Sequence, residues 1–246
     1  MIATYTTTLT TKEQLADDVW RFIFTLEVGQ TLDFQAGQYL LLKVDGIYRQ
    51  YSLSSPPSQN TSFEIIMEII PQGVASQYLD KLQIGEKAEF RGPAGVFILQ
   101  DTPKDKLFLA TGTGIAPIKS MIINWIETHR ASNPTSEVGL YLFFGLRTRQ
   151  EVYLFDNLKK LAEEYPKLHF KVCLSRENSL DGLDGLDGNY YLQGRMTPSV
   201  EALVKEKGPD NFEYYLCGGQ IIVEALKQFV LGLGAQSPNI FFEKFT

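Results

Sequence analysis

The sequence predicts two domains in one chain: an antiparallel β-barrel or sandwich, then an α/β domain built on a parallel sheet. Three observations carry this expectation. A length of 246 residues suits one large domain or two of ordinary size. In the first hundred or so residues the apolar runs are short, β-branched and aromatic, and glycine and proline punctuate them. After Pro103 compact apolar runs alternate with segments whose apolar residues recur at helical intervals, the pattern of strands joined by crossover helices. The change of rhythm near residues 101–105 gives domains 1–103 and 104–246.

In the first half, VWRFIFTLEV (19–28), QYLLLKV (38–44) and FEIIMEII (63–70) are expected as strands. Turn residues separate them at AGQ, DGIY, SSPPSQN, PQG, IGE and RGPAG, a spacing that suits a barrel or sandwich. SQYLDKLQ (76–83) is the expected helix of this half. In the second half KLFLAT is a strand that breaks at GTG and continues as the helix IAPIKSMIINWIETHR. Strands EVGLYLFFG, LHFKVCLS, FEYYLCG and NIFFEKF follow, with helices VYLFDNLKKLAEEY, PSVEALVKE and QIIVEALKQFVLGLG between them. The last helix is closed by Gly232 or Gly234.

Composition narrows the function. Apolar residues make up 44% and charged residues 21%, the balance of a soluble protein with a core. A net charge of −6, with no basic stripe, argues against nucleic acid as the main partner. The start MIATYTTTLTTKEQ lacks a basic segment followed by an apolar one, and no apolar run reaches the roughly 18–20 residues of a membrane span. A cytoplasmic protein is expected. Cys173 and Cys217 lie far apart and outside any C-x-x-C pair, and His129 and His169 have no partner at ligand spacing. A zinc or iron–sulfur centre is not expected, so redox chemistry would need an organic cofactor. In SLDGLDGLDG (179–188) the acidic residues stand three apart, not on the alternate positions of a calcium loop; a flexible acidic loop is expected.

Three stretches carry chemistry. LFLATGTGIAP (107–117) is a strand, a glycine turn and a helix start, where Gly112 and Gly114 let backbone approach a ligand and the helix N-terminus faces a phosphate. Taken alone it serves equally as a tight turn, and it lacks the third glycine of G-x-G-x-x-G, so an ordinary Rossmann dehydrogenase is not supported. YYLCGG (214–219) puts a thiol and bare backbone at the carboxyl end of a strand, where α/β proteins bind ligands. RQYSLSSPP (49–57) places arginine, tyrosine and serine ahead of a double proline, more than a turn requires.

Taken together, these motifs resemble the ferredoxin–NADP reductase superfamily, above all its compact bacterial reductases and the reductase modules of oxygenase systems. RQYS is similar to the family's flavin-binding R-x-Y-S, and GVASQYL (73–79) to its G-x-x-S phosphate turn. GPAGVF, TGTGIAP, YLCGG and the closing FFEKF follow in the family's order. The resemblance implies a Greek-key barrel holding FAD and an α/β domain holding NADPH or NADH.

It also implies roles. Arg49 would pair with the FAD pyrophosphate, Tyr51 would lie against the isoalloxazine, and Ser52 would hydrogen-bond near flavin N5. Gly73 and Ser76 would hold the pyrophosphate, and Gln50, Ile69, Val74 and Ala75 complete the FAD set. Thr111, Gly112, Thr113, Gly114 and Pro117 would serve the pyridine-nucleotide pyrophosphate, with Arg147 among the nucleotide-binding residues. Cys217 and Gly218 would flank the nicotinamide, Glu243 would be a carboxylate near the reacting ring, and Phe245 the aromatic that covers the flavin. Ser52, Cys217, Glu243 and Phe245 are thus the candidate catalytic set. Many relatives end on tyrosine; here Phe245 is followed by Thr246. Ser175, Arg176, Tyr191 and Gln193 match the positions that hold an adenosine 2′-phosphate and favour NADPH, although Asn189 and Glu68 stand where relatives often carry cations. The implied reaction moves hydride from NAD(P)H to FAD and single electrons onward to a ferredoxin, a flavodoxin or an oxygenase component. A flavin reductase releasing reduced flavin, and a non-catalytic relay subunit, are the alternatives.

Overall fold

The computed structural model describes residues 2–132, 138–180 and 188–245; the acidic stretch 181–187 of the L-D-G repeat lies outside them. By packing, the chain forms two units: Met1–Gln100 with Ala116–Thr128, and Asp101–Ile115 with His129–Thr246.

The first unit is a six-stranded antiparallel sheet. Its strands are β1 (Ala3–Gln14), β2 (Val19–Leu26), β3 (Tyr39–Val44), β4 (Ile47–Ser52), β5 (Ser62–Glu68) and β6 (Lys87–Ala94), in the order β4-β3-β6-β1-β2-β5. The sheet curls until its two edges meet: just beyond β4, Leu53 bridges to Ile65 of β5, and the Ser54 N–H donates to the Glu64 carbonyl at 2.8 Å. Alternation along the strands turns one face inward. Phe24, Phe63 and Phe90 are fully buried there, with ring centroids 4.9–5.5 Å apart. Burying each ring stabilises the fold by about 2–3 kcal/mol. Helix α1 (Val74–Lys81) starts two residues earlier than its apolar spacing indicates, because Gly73 serves as its cap. The threonine-rich β1 and the R-Q-Y-S strand β4 carry little of the β-branched apolar signal that marks their partners.

The second unit is a six-stranded parallel sheet. β7 (Asp105–Thr111), β8 (Leu140–Leu146), β9 (Leu168–Leu174), β10 (Tyr191–Gln193), β11 (Phe212–Gly219) and β12 (Ile240–Phe245) lie in the order β10-β9-β8-β7-β11-β12. The connecting helices are α2 (Ile115–Ser132), α3 (Phe155–Glu164), α4 (Thr197–Lys207) and α5 (Gln220–Gly232). β7 and β11 are buried along nearly their whole length, as strands of a sheet covered on both faces are. From β7 the chain steps outward to β10, then returns to place β11 on the other side of β7. That reversal makes the carboxyl ends of β7 and β11 the topological switch point, where such sheets bind ligands.

At the opposite, amino ends of the same two strands sits a buried polar network. Lys106 Nζ lies 2.7 Å from Glu213 Oε2 and donates to Thr102 Oγ1 at 2.9 Å. The hydroxyls of Thr102 and Tyr215 donate to the same carboxylate at 2.9 and 2.8 Å. Lys106 is fully buried, and burial holds its ammonium below the usual lysine range although Glu213 pulls the other way. Among the described residues no helix is long and apolar enough to cross a membrane.

Candidate functional site

In the first unit, Arg49, Gln50, Tyr51 and Ser52 lie on β4, the strand that leads into the closure of the barrel. β4 is an edge strand of the sheet, and its last residue, Ser52, pairs with Tyr39 of β3 just before the chain crosses to β5. Arg49 and Tyr51 share one side of the strand, Gln50 and Ser52 the other. Arg49 and Gln50 are exposed, Tyr51 is half-buried against the core, and Ser52 is buried. Arg49 Nη1 donates to the Tyr48 carbonyl at 3.0 Å. Burial pushes the Tyr51 phenol up to about 12, with the Arg49 cation opposing, so at neutral pH it presents a neutral ring with a donor tip.

The G-x-x-S turn lies at the start of α1. A Cβ on Gly73 would fall 2.6 Å from Ser76 Oγ, so a larger residue there would have to displace that hydroxyl. The Ser76 hydroxyl is engaged within that turn: it donates to the Ile70 carbonyl at 2.7 Å, has the Gly73 carbonyl at 3.0 Å, and accepts the Ile70 N–H at 3.1 Å. The Ser76 hydroxyl therefore shapes the turn, and the groups left for an anion are the first-turn N–H groups of Val74, Ala75 and Ser76. The Val74 side chain is exposed and that of Ala75 buried, while Ile69 packs on the core and donates its N–H to the Asp18 carbonyl at 2.7 Å. A guanidinium, a flat phenol and a helix N-terminus are the donor set that a flavin with a pyrophosphate tail requires, so the residues present fit FAD.

In the second unit the two glycine motifs interlock. After Thr111 the chain makes a tight turn over Gly112–Gly114, with Gly112 at φ +51°, and then enters α2. A Cβ on Gly114 would lie 2.3 Å from the Cys217 carbonyl oxygen and 2.6 Å from Gly218 N. Gly218, at φ +150°, is pressed in turn on Thr111, whose Oγ1 a Cβ would meet at 2.1 Å. The backbones of T-G-T-G and C-G-G thus touch directly at the switch point, with Pro117 buried in the first turn of α2. Thr111, Gly112 and Thr113 remain half-exposed beside them. This cradle of bare backbone and helix N-terminus fits a dinucleotide pyrophosphate.

On the next strand Glu243 is in register with Cys217, and Phe245 with Gly219. Cys217 is fully buried, and burial, reinforced by the Glu243 carboxylate, pushes its thiol well above the usual range against a hydrogen bond from the Gly218 N–H. It is a neutral, compact wall, not a nucleophile. Cys173 is likewise buried, its thiol pushed up to about 12 by burial. Native protein at pH 8 is therefore expected to resist a thiol reagent for hours and to release two equivalents on unfolding; rapid native labelling would contradict this burial.

The ends of β8, β9 and β10 carry the residues expected around the adenosine. Arg176 is exposed and donates its backbone N–H to the Arg147 carbonyl at 2.8 Å. Arg147 pairs with Glu151 at 2.9 Å. Ser175 Oγ donates to the Leu146 carbonyl at 3.1 Å, and Gln193 Nε2 to the Asn178 carbonyl at 2.9 Å, so both brace the turn after β9. The Tyr191 ring is turned in and stacks on Phe155, centroids 5.1 Å apart. Arg149, which no motif singles out, clamps the same turn through Glu177 at 3.2 Å and the Ser179 carbonyl at 2.8 Å.

A barrel with a flavin-type donor set and a parallel sheet with a dinucleotide cradle are a flavin-type module and a dinucleotide-type module in one chain. Family models agree: the oxidoreductase FAD-binding domain matches residues 6–98 and the oxidoreductase NAD-binding domain residues 108–228. The chain belongs to the ferredoxin–NADP reductase superfamily.

Among curated relatives, the toluate 1,2-dioxygenase electron transfer component of Pseudomonas putida is 29% identical over 217 residues, 87% of this chain and 59% of that protein. Ferredoxin–NADP reductase B of Sorangium cellulosum is 27% identical over 224 residues, covering 88% and 87%. Several of the curated relatives are longer, and this chain spans only about half to three-fifths of their length. The crystal structure of the Amycolatopsis cytochrome P450 reductase GcoB superposes with a TM-score of 0.83 at 29% identity, over all of this chain and 70% of that one. The FAD/NAD-binding domain of nitric oxide dioxygenase from Vibrio cholerae, at 21% identity and a TM-score of 0.80 over 98% of both chains, shares the fold.

Proposed function

We propose that the chain is an FAD-dependent reductase, working in the cytoplasm, that oxidises NADPH in preference to NADH and passes electrons singly to a protein acceptor. The acceptor would be a ferredoxin or an oxygenase component, as the names of its relatives suggest, or a flavodoxin. One observation carries this reading: the two glycine motifs pack on each other at the carboxyl ends of β7 and β11, with Cys217 and Glu243 in adjacent register.

When bound, FAD supplies the change from two-electron to one-electron chemistry. The protein's residues bind and orient. Arg49 and the first turn of α1 hold the FAD pyrophosphate, and Tyr51 offers its ring to the isoalloxazine. Ser52 would hydrogen-bond near the flavin's N5. The turn Thr111–Gly114 holds the pyridine-nucleotide pyrophosphate. Cys217 and Gly218 would leave room for the nicotinamide, Glu243 would place a carboxylate beside it, and Phe245 would be the aromatic that the resemblance assigns to cover the flavin. Arg176 reads the 2′-phosphate.

The test is direct. Purified protein should retain yellow FAD through gel filtration, and NADPH should bleach it anaerobically. FAD retained but bleached by neither nucleotide would sink the reading. Arg176→Ala is expected to raise KM for NADPH about tenfold or more, the loss of one charge-assisted contact, with KM for NADH nearly unchanged. Equal losses for both would show that the phosphate is read elsewhere.

A further inference from the structure

Helix α2 leaves the glycine turn and, one turn on, sets two buried polar side chains against the barrel. Lys119 Nζ lies 2.5 Å from Glu64 Oε1, and Ser120 Oγ donates to the Ser55 carbonyl at 2.7 Å. Lys119 and Glu64 are only 9% and 8% exposed, and Ser120 not at all. Arg21 stands at 4.0 Å from the other Glu64 oxygen.

Glu64 is a node. Its carbonyl accepts the Ser54 N–H at 2.8 Å, its own N–H donates to Ser55 Oγ at 3.1 Å, and its carboxylate takes Lys119. One residue earlier, the Leu53 N–H donates to the Gln38 carbonyl at 3.0 Å while Leu53 bridges Ile65. The three residues that follow Ser52 are therefore fixed one after another, and the last two through Glu64.

Drawing an ammonium and a carboxylate out of water is costly, and apolar side chains of similar volume often leave a protein as stable. A buried pair is thus a weak source of stability. Here the residue that bears the carboxylate also holds, through its main-chain carbonyl and N–H, the Ser54 N–H and the Ser55 hydroxyl, two and three residues beyond Ser52. A hydrogen bond weakens steeply with angle, so the direction of Ser52 Oγ matters as much as its presence.

We propose that Lys119 and Glu64 are positioning residues for flavin reduction: by locking Ser54–Ser55 they set the direction in which Ser52 meets the flavin, and Ser120 assists through the Ser55 carbonyl. This rests on the proposed FAD site. Replacing Lys119 alone would strand a buried carboxylate, so the variant to read is Lys119→Met with Glu64→Leu, in FAD-loaded full-length protein. Its FAD content, melting temperature and rate of reduction by dithionite should match the wild type. Bleaching by saturating NADPH should slow by about tenfold or more, with the half-saturating concentration little changed. In a Ser52→Ala background the same pair replacement should add almost nothing, because its effect runs through Ser52. Should the pair variant not hold FAD, Ser120→Ala gives the same comparison with a smaller slowing. Wild-type bleaching in the variant, or a full further loss on top of Ser52→Ala, overturns the inference alone. A wild-type flavin that neither nucleotide bleaches overturns the FAD reading beneath it.

Discussion

Replacing Gly114 by alanine is expected to abolish reduction of bound FAD by NADPH while leaving the FAD in place. The added methyl would lie 2.3 Å from the Cys217 oxygen and 2.4 Å from its carbonyl carbon. Those are backbone atoms of a buried strand, with no flexible side chain to give way. Nor can Gly218 retreat, since it already abuts Thr111. Overpacking of this kind costs about 1–3 kcal/mol, and the strain would be relieved by moving the start of α2, the part proposed to hold the pyrophosphate. A displacement of about 1 Å there is enough for a loss of the order of a hundredfold. Gly112→Ala makes the internal comparison: its methyl meets no atom within 4 Å, so only the strain of φ +51° remains, about 1–2 kcal/mol. Anaerobic stopped-flow bleaching, read beside the melting temperature, separates the two. A Gly114→Ala protein that bleaches at the wild-type rate would remove the turn from the nucleotide site.

The second large effect is on stability. Lys106→Met leaves the Glu213 carboxylate buried among Thr102 and Tyr215 without its cation. Breaking a buried pair from one side costs about 3–5 kcal/mol, a fall in melting temperature of roughly 6–20 °C for a protein of this size. Adding Glu213→Leu should restore most of it, because the uncompensated charge goes with the side chain. Flavin reduction below the melting range should be unaffected, since the network sits at the amino ends of β7 and β11 and the glycine turns at their carboxyl ends. Thermal melts of both variants check this; a single variant as stable as the wild type would mean the site takes in water or neutralises its acid.

The second unit was largely legible in the sequence, because crossover strands buried on both faces read as unbroken apolar runs and their helices as periodic ones. KLFLAT and FEYYLCG match β7 and β11 within one residue at each end. The glycines that interlock there stood out because bare backbone at a strand end has few other uses. Less could be read where long-range geometry decides. Glu64 and Lys119 are 55 positions apart and belong to no motif, so neither drew notice. The crossing from Leu53 to Ile65 is a property of a curled sheet, which alternation along one strand cannot express. Ser76 and Tyr191 were assigned to ligands by resemblance; their motif positions gave no sign that the hydroxyl of one is engaged in its own turn and the ring of the other lies against Phe155.

The assignment of Ala116–Thr128 to the barrel's unit has a practical corollary for dissecting the protein. A fragment cut at the change of rhythm near residue 103 would discard Lys119, Ser120 and the fully buried Met121, whose methyl group lies against Gly37. Such a piece would bare an oily patch beside an acid without its counter-ion, and would tend to self-associate. An autonomous barrel would have to be built as a graft, with a linker carrying the chain from Gln100 to Ala116 and a stop after Thr128.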